Sequence, residues 1–324
     1  MDRLAKIQQK IEPELAKMNA IIRETLSSGN DLMDTVVSNY LLTKGKQIRP
    51  VMVILSAKFF GEVNEHVLHA GAALEMLHNA SLIHDDVVDD TALRRGRATI
   101  NNRWGNHIAV LVGDFFVSNA LAAGIRTGNI SIISSLSDLG KELSIGEVDQ
   151  ICNVRDHRLD ERHYLMMIKK KTASLFRSCV KMGAEAVGTP EDDYSHLAEY
   201  AELLGMCFQI RDDIFDYFSN PLIGKPTGND LREGKVTLPL LHAISVAPEP
   251  VALRVKEMLY KGDLNEKEIG ILIDFAKEYD GIEYSFAKMR EMQAEADKLL
   301  EVYPPSEWKE IFRQLFDYII SRDK

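Results

Sequence analysis

The chain has 324 residues, of which 45% are hydrophobic and 27% charged, the balance of a globular protein with a large core. Its formal net charge of −10 argues against non-specific nucleic-acid binding, and its three cysteines, Cys152, Cys179 and Cys207, make no disulfide framework and suit a reducing, cytoplasmic compartment. MDRLAKIQQK at the N-terminus lacks the apolar core of a signal peptide, and no uninterrupted apolar run reaches the ~18 residues of a spanning helix, so no stable membrane anchor is expected.

Helical periodicity dominates. Leu4, Ile7, Ile11, Leu15, Met18, Ile22 and Leu26 step by three or four and predict one helix that ends at SSGN. A helix over 31–43 follows, then the loop KGKQIRP, after which Pro50 opens a helix that Gly61 closes. Residues 64–91 read as one long helix, and RRGRATINNRWG as a basic, irregular loop. Residues 107–124 predict a helix buried within the protein, followed by a broken stretch to Gly140 and helices over 143–153 and 160–187. Thr189-Pro190-Glu191-Asp192 starts a helix that runs to 218. The loop SNPLIGKPTGNDLREGKVTLP is long and carries two lysines, which marks it as functional. Four or so helices finish the chain, the last after Pro304-Pro305. No alternating run is bounded by turn residues, so strands should be nearly absent, and no linker divides 1–324, which reads as a single all-α domain.

Two segments carry the chemistry. SLIHDDVVDD contains Asp85, Asp86 and Asp89, and CFQIRDDIFDY contains Asp212, Asp213 and Asp216. Each reads D-D-x-x-D. Residues four apart share a helix face, so Asp85 and Asp89 stack, as do Asp212 and Asp216, with Asp86 and Asp213 ~100° around. Their neighbours are Leu82, Ile83, Val87 and Val88 in one motif and Phe208, Ile210, Ile214 and Phe215 in the other. A solvated acidic face would carry lysines and glutamates there. Carboxylates crowded on an apolar stretch repel one another and resist desolvation, a cost that cations offset. Such a set can bind a hard cation without enclosing it. Magnesium suits it, because it keeps waters and takes one or two carboxylates plus substrate phosphates, whereas zinc would want a Cys/His cluster. His84 is expected to pack beside the first triad.

With these motifs the chain resembles the trans-isoprenyl diphosphate synthases (polyprenyl synthetases), from about residue 30 to the end, and in particular long-chain types such as octaprenyl or heptaprenyl diphosphate synthase. The resemblance implies an isoprenoid-synthase bundle of about ten or more helices around a central cavity. In that cavity Asp85, Asp86, Asp89, Asp212 and Asp213 would hold Mg2+, three ions with substrate bound, and Asp216 would act directly or through water. GKQIRP supplies Lys46 and Arg49, which with His78 and Arg95 resemble the binding site for isopentenyl diphosphate. Arg94, Lys171 and Lys225 are implied to contact the allylic diphosphate. Lys171, Thr172, Gln209, Lys225 and Lys235 are the implied catalytic set, stabilising the leaving group or the allylic cation. The implied reaction condenses isopentenyl diphosphate with an allylic diphosphate such as farnesyl diphosphate, on a homodimer.

Family members with short products often carry bulky aromatics four or five residues before the first aspartate. Here those positions are Ser81 and Ala80, and the next turns bring Leu77 and Leu74, then Ala73 and Ala70. Leu77 or Leu74 could form a floor; Ile132, Ile133 and Leu136, with the helix over 107–124, are candidates for a deeper one. The expectation is a long all-trans product of about C30–C40. A geranylgeranyl or farnesyl diphosphate synthase, the catalytic subunit of a heteromeric synthase and a class I terpene cyclase are the alternatives. The cyclase usually carries a different second metal motif and has less need of an isopentenyl site. A regulatory subunit typically loses the aspartates.

Overall fold

Proline-first turns and polar caps start most of the helices, and the computed structural model describes them over residues 3–42, 45–218 and 227–322. In chain order these are α1 (Arg3–Lys10), α2 (Glu12–Thr25), α3 (Asp31–Leu41), α4 (Ile48–Phe60), α5 (Glu65–Val88), strands β1 (Leu93–Arg94) and β2 (Arg97–Ala98), α6 (Ile100–Trp104), α7 (Asn106–Arg126) and α8 (Ile130–Arg155). Then come α9 (Glu161–Ile168), a π-helical segment (Lys169–Ala173), α10 (Ser174–Ala186), α11 (Glu191–Phe215), α12 (Asn229–Arg232), α13 (Leu238–Val246), α14 (Glu249–Lys261), α15 (Glu266–Glu278), α16 (Gly281–Glu301) and α17 (Glu307–Ser321). The protein is all-α; among the described residues the one antiparallel hairpin pairs Leu93 with Ala98 and Arg94 with Arg97.

The helices form two compact units. One comprises Met1–Lys141, Leu175–Ala201 and Leu299–Tyr318. Its axis is α5, capped by Asn64 and packed against α2, α4 and α7. α5 buries residues on all sides, from Val67 to Ile83, as a central helix must. Tyr200, Phe312 and Phe316 pack edge-to-face in the same core. The other unit comprises Glu142–Ser174, Glu202–Lys298 and Ile319–Lys324. There α13 packs on α15, α14 and α9, burying Leu238, Leu240 and Ala243 together with Leu272, Phe275 and Ala276.

The structure corrects the sequence reading at four places. The helix expected over 4–26 breaks at Ile11, whose ψ is 18°, because Pro13 has no N–H to donate to Gln9. The stretch expected to break before Gly140 is one continuous helix, α8. Gly146 in it marks a close approach, whereas Gly140 sits in ordinary contact. The methyl groups of Leu77 lie 3.9 Å from where a Cβ on Gly140 would sit, and a Cβ on Gly146 would come within 2.7 Å of the Lys171 backbone nitrogen. The helix expected to be buried within the protein, α7, buries Ala109, Val112, Phe116, Ala120 and Ala123 but exposes Val110, Leu111, Leu121 and Ile125; it is long and apolar enough to cross a membrane although no uninterrupted apolar run was found. Finally, the basic loop after the first triad contains a tight hairpin. Arg95 and Gly96 both take positive φ, 54° and 73°, the pair of left-handed residues that a two-residue type I′ turn requires.

Candidate functional site

The first triad closes α5. Asp85 and Asp86 occupy its last turn and Asp89 caps it, with the Asp89 N–H donating to the Asp85 carbonyl at 2.8 Å. Asp86 is 4% exposed. Arg94, turned back by the hairpin, grips one oxygen of Asp86 through both Nε and Nη2 at 2.8 Å. Asn101 adds a bond from Nδ2 to the Asp86 carbonyl. Arg94 is therefore committed to the triad in this state. His84 packs where it was expected, with Nε2 3.3 Å from the Val110 carbonyl and 3.4 Å from Asp114.

Three guanidinium groups gather around the middle of α5. Burial first, then Arg49, Arg95 and Arg94, holds His78 well below the usual imidazole range, so it is a neutral ring. Arg49 and Arg95 also face Glu75. The guanidinium of Arg95 lies 2.7 Å from where a Cβ on Gly45 would be, so glycine at 45 makes room for it. Lys46 lies over the ring of Tyr318, 5.8 Å from its centroid. The helix α4 starts just beyond at a left-handed Gln47 that gives no side-chain cap. Glu75 is a residue that the sequence reading missed.

In the other unit, a cavity of about 220 Å³ is lined by Lys171, Thr172, Gln209, Asp213 and Lys235. Five of the sequence-predicted residues thus meet in one place. They form a relay: Thr172 Oγ1 donates to Gln209 Oε1 at 2.7 Å, and Gln209 Nε2 donates to Asp213 Oδ1 at 2.7 Å. Tyr164, also lining the cavity, donates its hydroxyl to the other oxygen, Asp213 Oδ2, at 2.6 Å. Asp213 is 5% exposed. Burial pushes its carboxyl up to about 7, against the pull of Tyr164 and Gln209 and with help from Asp212 and Asp216. Lys171 ion-pairs with Glu147 and donates to Gln150 at 3.1 Å, while Lys235 pairs with Glu233 at 2.6 Å.

The π-helical segment presents Lys171 and Thr172, the setting in which π-bulges mark functional positions. Asp216 accepts from the backbone N–H groups of Asn229 at 2.9 Å and Asp230 at 3.0 Å. Asp230 lines the cavity too, and desolvation first, then Asp213 and Asp216, holds it well above the usual carboxylate range. Tyr164, Glu147 and Asp230 escaped the sequence reading. Only Asp230 left a trace, as an acid in the loop already marked as functional. Lys225 lies outside the described residues.

Asp213 and Asp230, both lining the cavity, are held above the usual carboxylate range because burial disfavours their charge. A divalent cation would relieve that. Among the described residues no group of three or more His, Cys, Asp or Glu converges to enclose an ion, so these side chains fit an ion that completes its shell with water and phosphate oxygens.

The sequence model of the polyprenyl synthetase family matches residues 30–274. The chain belongs to that family. Octaprenyl diphosphate synthase of Haemophilus influenzae is 34% identical over 318 residues, which cover 98% of this chain and 96% of that protein. A decaprenyl diphosphate synthase from Rhodobacter capsulatus superposes with a TM-score of 0.93 at 31% identity, over 99% of both chains. Geranylgeranyl pyrophosphate synthase from Bacteroides thetaiotaomicron gives 0.86 at 35%, over 99% of this chain and 100% of that one. This polyprenyl synthetase is a prenyltransferase with the all-α isoprenoid synthase fold. Identity does not separate the longer product from the shorter, so length must be read from the side chains upstream of the first triad. Ala80 is 1% exposed and Leu77 9%, Ser81 is half-buried with its hydroxyl on the His78 carbonyl, and Leu74, Ala73 and Ala70 are fully buried. No aromatic stands among them.

Proposed function

We propose that the enzyme condenses isopentenyl diphosphate with an allylic diphosphate such as farnesyl diphosphate and extends it to a long all-trans polyprenyl diphosphate. The observation that carries the reaction is the convergence of Lys171, Thr172, Gln209, Asp213 and Lys235 on one cavity. Asp85, Asp86, Asp89, Asp212, Asp213 and Asp216 would hold magnesium, three ions with substrate bound, which would supply charge neutralisation for a departing diphosphate. Lys171 and Lys235, exchanging Glu147 and Glu233 for phosphate oxygens, add cationic donors, and Lys225 adds a third. The Thr172 hydroxyl and Gln209 amide place oxygen dipoles beside the nascent allylic cation. Lys46, Arg49 and Arg95 hold the diphosphate of isopentenyl diphosphate, and His78 donates to it as a neutral ring. Arg94 orients Asp86 until the allylic diphosphate arrives.

The length of the product follows from α5. From Ser81 to Ala70 the helix descends ~16 Å with only alanine, leucine and polar side chains on the implied lining face, which supports a product of about C30–C40. Replacing Ala80 with phenylalanine should shorten the product by several isoprene units with turnover of short products retained, as read by mass spectrometry; an unchanged length distribution would sink the assignment.

The exposed apolar side of α7 and the groove of about 250 Å³ that it shares with α3, lined by Leu32, Val36, Leu111 and Phe115, support a homodimer of cytoplasmic enzyme rather than a membrane span. Sedimentation equilibrium at the mass of one chain would contradict the dimer.

A further inference from the structure

Arg322 follows α17 and belongs to none of the motifs above. Its side chain is 5% exposed. Nη2 donates to Asp212 Oδ1 at 2.5 Å and to the Phe208 carbonyl at 3.2 Å. Its guanidinium lies 4.2 Å from the centroid of Phe208 and 5.4 Å from that of Phe215. Its own carbonyl accepts from Arg211 through Nε at 2.9 Å and Nη2 at 2.5 Å. Arg211 is 8% exposed and stacks on Phe215 and Phe286. Two buried arginines are thus interleaved with three aromatic rings, one of them bonded to an oxygen of Asp212 and the other to the backbone carbonyl of the first.

That expense has a purpose only if Asp212 must be held in place. A buried guanidinium left without a carboxylate would be strongly destabilising, and aromatic faces fix its plane. Asp213 is held by Tyr164 and Gln209, and Asp216 by two backbone N–H groups. Arg322 completes the pattern, so each carboxylate of the second triad has its own donor set. The partner of Asp212 takes Oδ1, while the side chain as a whole is 41% exposed.

We propose that Arg322 is a positioning residue for metal binding: it fixes Asp212 through Oδ1 so that Oδ2 meets a divalent cation. The proposal rests on the metal role assigned to Asp212. Outer-shell partners of metal-binding carboxylates act in this way, and their loss typically weakens metal binding 10- to 100-fold.

The test is binding of Mn2+ in the presence of inorganic diphosphate, followed by electron paramagnetic resonance on the full chain, with circular dichroism to confirm folding. R322Q should bind Mn2+ roughly 10- to 100-fold more weakly than the unmodified enzyme. R322K, which keeps the charge without the planar fork, should fall between them and serves if R322Q does not fold. D212N should also bind weakly, and adding R322Q to it should cost nothing further. Unchanged or tighter binding in R322Q overturns the proposal, as does an equal loss in the D212N background, because either would mean that the arginine does not act through Asp212. Unchanged binding in D212N itself would overturn it differently, by removing the metal role on which it rests.

Discussion

Replacing Tyr164 with phenylalanine removes a single oxygen from the second carboxylate site and leaves the ring in its packing. That oxygen is 2.6 Å from Asp213 Oδ2. It is one of two donors that oppose the burial which pushes the Asp213 carboxyl up to about 7. A hydrogen bond to a charged group contributes ~1.5–3 kcal/mol, which at 1.36 kcal/mol for each pKa unit raises Asp213 by ~1–2 units. Near pH 7 the ionised fraction without metal then falls from about a half to ~1–10%. Since metal must displace that proton, the apparent affinity for magnesium should fall ~5–50-fold at pH 7. At pH 9 the carboxyl of the unmodified enzyme is ~99% ionised and that of the variant ~50–90%, so the deficit should shrink to ~1.1–2-fold. Initial rates against magnesium concentration at the two pH values give the comparison. The reasoning is refuted if Tyr164→Phe shows no deficit at pH 7, or the same deficit at both.

Two further outcomes follow from the same physics. His78 is held neutral in the folded enzyme while the unfolded chain takes up its proton near 6.5, so its contribution to stability is present above that pH and lost as pH falls below it; the thermal midpoint of the unmodified enzyme should drop more steeply from pH 7 to pH 5 than that of His78→Asn, and parallel curves would sink the assignment. Gly146→Ala should lower the thermal midpoint and the turnover together, because the added methyl would meet the Lys171 backbone at 2.7–2.9 Å and overpacking of ~1–3 kcal/mol outweighs the ~1 kcal/mol helix gain of alanine. Gly270→Ala, where a methyl meets nothing within 4 Å, should raise the midpoint, and the same sign at both positions would contradict this account of the glycines in α8.

Much of the site was legible because its residues announce themselves by type and spacing. The two D-D-x-x-D motifs, the Lys-Thr pair and Gln209 need only a helix to bring them onto one face, and the helices are strongly periodic. The unread part depends on what packs against those helices. The stretch up to Gly140 looked broken although α8 runs through it, and sequence does not reveal that the Lys171 backbone presses against Gly146. Tyr164, Glu147 and Arg322 carry common side chains at unremarkable positions and gain their meaning from Asp213, Lys171 and Asp212, up to 110 residues away. The π-helical turn that carries Lys171 has no local signal in KKKTASLF. The exposed side of α7 was read as buried because an apolar helix looks alike in sequence whether or not all of its sides meet the core.

The central claim is that this chain alone elongates an allylic diphosphate well beyond four isoprene units. The direct measurement is incubation of the purified protein with isopentenyl diphosphate, farnesyl diphosphate and magnesium, with products identified by mass spectrometry. The account predicts all-trans polyprenyl diphosphates centred on about C30–C40, abolished by Asp85→Ala. Products that stop at geranylgeranyl diphosphate, release of cyclic hydrocarbon, or no turnover without a second protein would contradict it.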